Sequence, residues 1–180
     1  MTAHPLADLS VLDQFKTGAF PPGYPDDTRT FYSPVDDLHG CLVYLIKNAQ
    51  KSLVVAMFGF DDEELADALK GKLEDEGVFV QLTLDRTQAG GVAEKKLLAK
   101  EDYPISSMAI GSSEHGRIQH MKLLIIDGTI LVSGSTNWSD AGEHLQDNEL
   151  TVTLSAAKAA EARMRIDQIH QHMLSAGKGK

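Results

Sequence analysis

The sequence predicts an α/β domain built on a mixed, largely parallel β-sheet with helices on both faces. Three observations carry that expectation. Through the first half of the chain, short apolar runs alternate with longer stretches whose apolar residues recur at helical spacing. Residues 52–60, SLVVAMFGF, are almost continuously apolar, as a strand covered on both faces would be. Residues 118–134 read as two strands joined by a tight turn, which adds an antiparallel part to a sheet otherwise built by right-handed crossovers.

The elements follow in order. Residues 1–30 carry four prolines and little periodicity, which predicts an irregular arm with one helical turn near 9–15. A short strand at 30–32 ends at Ser33-Pro34. Residues 35–50 place Leu38, Cys41, Leu42, Leu45, Ile46 and Ala49 on one helical face. The strand at 52–60 leads to Asp61-Asp62, which caps a second helix that Gly77 stops. A strand at 78–84, a polar loop at 85–91, a helix at 92–100 and a weaker strand at 105–110 precede the hairpin. After it come an irregular loop at 135–148, a last strand at 149–154 and a long final helix at 155–176 with a frayed GKGK tail. We expect a single catalytic domain over 31–176, with 1–30 as an arm and 177–180 as a flexible tail.

Composition narrows the function. With 180 residues the chain fits one domain. The single cysteine, Cys41, excludes an internal disulfide framework and a cysteine-based metal site. No stretch approaches the roughly 20 apolar residues of a membrane span. The first fifteen residues lack the basic and apolar regions of a signal peptide, so a cytoplasmic protein without stable membrane association is expected. A net charge of −9 argues against sequence-blind attraction to polyanions, so any nucleic acid must be held by a local basic patch.

The chemistry concentrates in residues 119–137, QHMKLLIIDGTILVSGSTN. His120 and Lys122 share one face of the first strand, Asp127-Gly128 suits a two-residue turn, and the second strand closes on Gly134, Ser135 and Asn137. Pairing Ile126 with Thr129 would put Lys122 opposite Ser133 and His120 opposite Ser135. An imidazole, an ammonium, a hydroxyl and an amide gathered at one sheet end suit a phosphate group. Each residue alone has a plainer reading as a polar strand edge; their convergence is what argues for a site. Asp127 lies seven residues along the strand from His120, about 23 Å at strand rise, so it cannot orient that imidazole within its own chain. Its expected role is structural, as is that of Gly134.

The spacing H-x-K-x4-D-x6-G-S-x-N, complete here in His120, Lys122, Asp127, Gly134, Ser135 and Asn137, resembles the HKD signature of the phospholipase D superfamily. The layout from residue 31 to the last helix is similar to that of single-HKD bacterial endonucleases of the Nuc type. The resemblance implies a phospholipase D-like sandwich and a covalent phosphohistidine on His120. It also implies a second HKD histidine as proton donor. None of His4, His39, His115, His144, His170 and His172 begins another H-x-K, so the second copy must come from another chain, in a homodimer. Lys122 and Asn137 would bind the phosphate oxygens, with Ser135 as a weaker donor. Glu149 matches the family glutamate that orients the histidine, with Asp147 and Glu143 as local competitors. No cofactor or metal is implied; Glu143, His144 and Asp147 could form a cation site but read more simply as a polar loop.

Substrate is less legible. Arg117 and Arg86, with Lys95 and Lys96, could line a groove for a phosphodiester backbone, and Trp138 could stack an unpaired base or cap the core. The leading expectation is a metal-independent nuclease acting on single-stranded or nonspecific nucleic acid. A phospholipase D or cardiolipin-type hydrolase is the first alternative, although no amphipathic membrane-binding segment stands out. A non-catalytic, dimeric nucleic-acid-binding module is the second.

Overall fold

The computed structural model describes residues 4–74, 77–88 and 107–177. Its strands are β1 (Thr28–Ser33), β2 (Ser52–Met57), β3 (Phe79–Asp85), β4 (Met108–Gly111), β5 (Lys122–Ile126), β6 (Ile130–Gly134) and β7 (Asn148–Leu154). The helices are α1 (Leu38–Lys47), α2 (Glu63–Glu74) and a C-terminal helix (Ala156–Gly177). All seven strands join one sheet in the order β1-β7-β6-β5-β2-β3-β4.

The α/β class and the mixed, two-faced sheet agree with expectation, but the balance of strand directions does not. Only β2–β3 and β3–β4 are parallel, whereas β2–β5, β5–β6, β6–β7 and β1–β7 are antiparallel. The reason lies in β1. Strand–helix–strand alternation suggested that β1 pairs near β2, but β1 instead takes the far edge beside β7, and the segment through α1 spans the sheet. Residues 92–100, read as a helix, and Lys95 and Lys96 lie outside the described residues.

Alternation along β2 explains the layers. Leu53, Val55 and Met57 join the large core beneath α1 and α2, while Val54 and Ala56 face Ala159 and Ile166 of the C-terminal helix. A strand buried on both faces needs apolar residues at every position, and that is what 53–57 supplies.

The N-terminal segment is more than an arm. Leu6, Leu9 and Leu12 expose none of their surface and belong to the same core as α1. The expected turn is a 3-10 helix at Leu9–Phe15, with Asp8 accepting from the Ser10 N–H at its start. Lys16 then donates to the buried Asp36 carboxylate at 2.7 Å and to the Thr30 carbonyl at 3.0 Å, tying this segment to β1.

The hairpin turn forms at Asp127-Gly128, both in the left-handed region (φ 54° and 70°), and the Thr129 N–H closes it on the Ile126 carbonyl at 3.1 Å. Beyond it the register differs by one residue from expectation. Ile126 pairs with Ile130, and Leu123 rather than Lys122 stands opposite Ser133. The Thr129 carbonyl accepts from the Ser155 N–H at 2.8 Å instead of joining the ladder, so Thr129 is an extra residue in the second strand.

Candidate active site

Because β2 and β5 run antiparallel, the exit of one and the approach to the other meet at the same end of the sheet. Phe58-Gly59 follows β2, His120-Met121 precedes β5, Ser135 to Asn137 follows β6, and Asn148-Glu149 opens β7. His120 and Lys122, Ser135 and Asn137, Phe58-Gly59 and Asn148-Glu149 therefore arrive at one end of the sheet from four separate strands.

His120 is exposed and Lys122 is buried. The Lys122 Nζ lies 3.1 Å from His120 Nε2 and donates to the His120 carbonyl at 3.0 Å. An ammonium can only donate, so His120 Nε2 is the acceptor and the ring proton sits on Nδ1. The Nε2 lone pair is therefore held on the ammonium in the resting site and must be released from it to act as a nucleophile. Phe58 packs against both groups: its ring centroid is 4.5 Å from that of His120 and 4.9 Å from the Lys122 Nζ. Burial lowers the Lys122 pKa, a cost of holding the charge there that a bound anion would offset.

Asn137 reaches the same place from the other side. Its Oδ1 accepts from the Gly59 N–H at 3.1 Å, which makes the NH2 the donor end of the amide. A methyl group on Gly59 would lie 3.2 Å from Asn137 Cγ, so the glycine permits this close approach. Ser135 donates to Asn148 Oδ1 at 2.8 Å and accepts from the Glu149 N–H at 3.0 Å, closing the end of the β6–β7 pair. Gly134 fits there because an added Cβ would fall 2.0 Å from the Glu149 carbonyl oxygen. The exposed Glu149 carboxylate accepts from the Thr151 hydroxyl at 2.8 Å. Within the single chain it is held there and not on His120 Nδ1.

A buried polar scaffold positions the approach to β5. Asp85, with no exposed surface, accepts from the Gln119 N–H at 2.5 Å and from the Thr87 N–H and hydroxyl. Gln119, also buried, accepts from the Met121 N–H and donates to the Thr83 carbonyl. Sequence reasoning missed Phe58, Gly59, Asp85 and Gln119 as parts of the site. Phe58-Gly59 and Asp85 do carry one signal, since they lie at the carboxyl ends of parallel strands, where α/β sites open.

Trp138 corrects an expectation. It is 1% exposed and packs edge-on against Phe60 with centroids 5.2 Å apart, so its ring is core and offers no face to a base. Its backbone does the positioning, donating to the Gly59 carbonyl and accepting from the Asp61 and Asp62 N–H groups. Asp127, at the far end of β5, accepts from His4 Nε2 and from the N–H groups of Gln50, Lys51 and Ser52. Arg86 and Arg117 are both exposed; Arg86 lines a groove of about 470 Å³ with Ser112, Ser113 and His172.

Behind the Asn137 loop lies a second polar cluster. His39 Nδ1 is 2.7 Å from Glu143 Oε2, and His39 Nε2 is 3.0 Å from Glu64. Burial alone would lower the His39 pKa, but its partners Glu64, Glu143 and Asp62 raise it to about 8. Burial raises that of Glu143 to about 7, against the pull of His39.

Comparison with known proteins agrees with this geometry. A family described as cardiolipin synthase, PLD-like domain, matches residues 42–170. No curated protein sequence matches the chain. Nuc from Salmonella typhimurium, a phospholipase D family member, superposes with a TM-score of 0.68 at 21% identity, over 81% of this chain and 94% of that one. NucT from Helicobacter pylori gives 0.67 at 22% identity, over 82% and 95%. Phosphatidylserine synthase from Haemophilus influenzae gives 0.64 at 15% identity, over 81% of this chain but 39% of its own. With a family match across most of its length and His120, Lys122, Ser135 and Asn137 drawn to one end of the sheet, the chain belongs to the phospholipase D-like domain family.

Proposed function

We propose that the protein is a phosphodiesterase that cleaves nucleic acid without a catalytic metal, through a phosphohistidine on His120 at a site completed by a second copy of the chain. The observation that carries this reading is the Lys122–His120 contact: an ammonium 3.1 Å from Nε2 puts positive charge beside the nucleophilic nitrogen and marks where a phosphate oxygen would sit. In the first step Nε2 bonds to phosphorus as the bond to the leaving oxygen breaks, and a proton passes to that oxygen. Lys122 and Asn137 stabilise the added charge on the non-bridging oxygens, with Ser135 beside them. Water then displaces the histidine.

The proton donor is the second copy's His120. His4, His39 and His170 are each engaged elsewhere, on Asp127, Glu143 and Thr83. Ile118, two residues before His120, is 52% exposed and offers apolar surface beside the site for a dimer contact. Glu149 is the positioning carboxylate for His120 Nδ1, released from Thr151 when the site is complete. Nucleic acid is favoured because the two similar chains covered almost end to end carry the names Nuc and NucT. Arg86 and Arg117 then supply exposed cations for the backbone.

The test is digestion of circular single-stranded DNA by wild type and His120→Ala, in excess EDTA and in chelator-free buffer. Cleavage by wild type in both buffers, lost in His120→Ala, supports the proposal. Loss in EDTA alone refutes metal independence. Turnover of phosphatidylglycerol or cardiolipin vesicles with DNA left intact moves the assignment to lipids, the class of molecule in the names of the matching family and the Haemophilus enzyme.

A further inference from the structure

The cluster behind the Asn137 loop has the composition of a metal site. His39 on α1, with Glu143 and His144 on the short π-helix Ala141–Leu145, offer ligand atoms that all lie within 4.8 Å of one another. Asp62, at the start of α2, adds an oxygen 3.3 Å from His39 Nδ1. Two imidazoles and carboxylate oxygens form a nitrogen–oxygen donor set of intermediate hardness, which suits zinc and neighbouring first-row divalent ions better than magnesium or calcium.

Two further features set this cluster apart from an ordinary ion pair. The Glu143 side chain has no exposed surface, and its Oε1 has no hydrogen-bond partner among the described residues, although its Oε2 is held by His39. A buried carboxylate oxygen without a donor is costly and calls for a ligand. The charges also do not balance: His39 faces Asp62, Glu64 and Glu143, with Lys47 reaching the exposed Glu64 at 3.5 Å. A divalent cation would satisfy the orphaned oxygen and neutralise the surplus together.

We infer that His39, Glu143 and His144, with Asp62 as a fourth donor, form a structural zinc-type site. The ion would replace the His39–Glu143 hydrogen bond and take the Glu143 carboxylate through both oxygens, Oε1 included, as those two groups part by a few tenths of an ångström to admit it. Its role follows from what the ligands are attached to. The Glu143 N–H donates to the Ser139 carbonyl, and the Asp61 and Asp62 N–H groups donate to the Trp138 carbonyl, directly after Asn137. An ion there would clasp α1, the start of α2 and the π-helix, holding the loop that carries Asn137 without touching the phosphoryl group. The site is therefore compatible with metal-free chemistry at His120 and does not depend on it.

The test is a calorimetric zinc titration of the untagged, metal-stripped full chain, repeated with cobalt to read its visible absorption. Wild type should bind one zinc per chain, show a tetrahedral cobalt spectrum and gain thermal stability on zinc addition. His144→Ala, an exposed position whose loss the fold tolerates, should weaken binding by about tenfold or more. Glu143→Gln, which keeps the buried shape, should do the same. Absence of saturable zinc binding by wild type, or undiminished binding by His144→Ala, overturns the inference. None of these readouts uses nuclease activity, so the site stands or falls separately from the proposed reaction.

Discussion

Replacing Asp127 with alanine tests what the aspartate of the motif is for. Its side chain is 3% exposed and accepts hydrogen bonds from His4 and from three successive N–H groups, at 2.6 to 2.9 Å. Removing it strands those donors. Gln50 and Lys51 are exposed enough for water to replace their partner, whereas Ser52, opening the central strand β2, is half-buried. At ~1–3 kcal/mol for a donor left without a partner and less for a solvated one, Asp127→Ala should cost about 2–4 kcal/mol. That corresponds to a fall in Tm of roughly 5–15 °C for a domain of this size. Burial works to raise the Asp127 pKa, but the three N–H groups and His4 hold it below the ordinary carboxylate value. Its stabilisation is thus fully present above the unfolded pKa near ~3.9 and lost as pH falls through the folded value, so the Tm gap between wild type and variant should close in acid. The assay is thermal unfolding against pH beside phosphodiesterase kinetics at 20 °C. A kcat within about threefold of wild type is expected for the folded variant. A large loss of kcat with an unchanged Tm would refute a structural role and put Asp127 into the chemistry.

Other expectations can be checked with the same assays. Lys122→Met should lower kcat by about 100-fold or more, because a phosphate-stabilising charge is gone. It should leave Tm unchanged or raised, since burial already disfavours that charge in the resting site; a drop in Tm would contradict this. Gly59→Ala should push Asn137 aside by a few tenths of an ångström, cutting kcat roughly tenfold with a Tm change worth less than about 1 kcal/mol. Gly134→Ala should destabilise by about 2 kcal/mol or more, since its Cβ would overlap the Glu149 carbonyl and the β6–β7 pair must part, and a neutral Tm would argue against that register. Trp138→Phe should weaken folding without changing affinity for oligonucleotides, as measured by fluorescence anisotropy, because the ring faces Phe60 and not solvent.

The sequence made the motif legible because its chemistry is local. His120 and Lys122 share a strand face by alternation, and Asp127-Gly128 announces its own turn. The register beyond that turn was not legible, since it depends on Ser155 capturing the Thr129 carbonyl from a distant position. Trp138 illustrates a second limit: a lone tryptophan next to a site residue has two readings, and only its partner Phe60 decides between them. The strand directions failed for a similar reason, because nothing local to residues 28–33 says which edge of the sheet they join. His39 was invisible as a site residue in the sequence, since it lies on the polar flank of an apolar helix and meets Glu143 only at a separation of 104 positions.

The placement of β1 has a consequence for how the chain folds during synthesis. Among the described residues its only strand partner is β7, and the Thr30–Thr151 hydroxyl contact spans 121 residues, as His4–Asp127 spans 123. A ribosome making the chain at about 5–20 residues per second would extrude β1 many seconds before its partner exists. The apolar N-terminal segment and an unpaired strand edge must wait through that interval, and the sheet closes only when the last strand emerges. Contacts of such long range also slow folding of the completed chain. Residues 4–33 are thus made well before their partners and are among the last to be secured, which makes them a segment that a chaperone would have reason to hold.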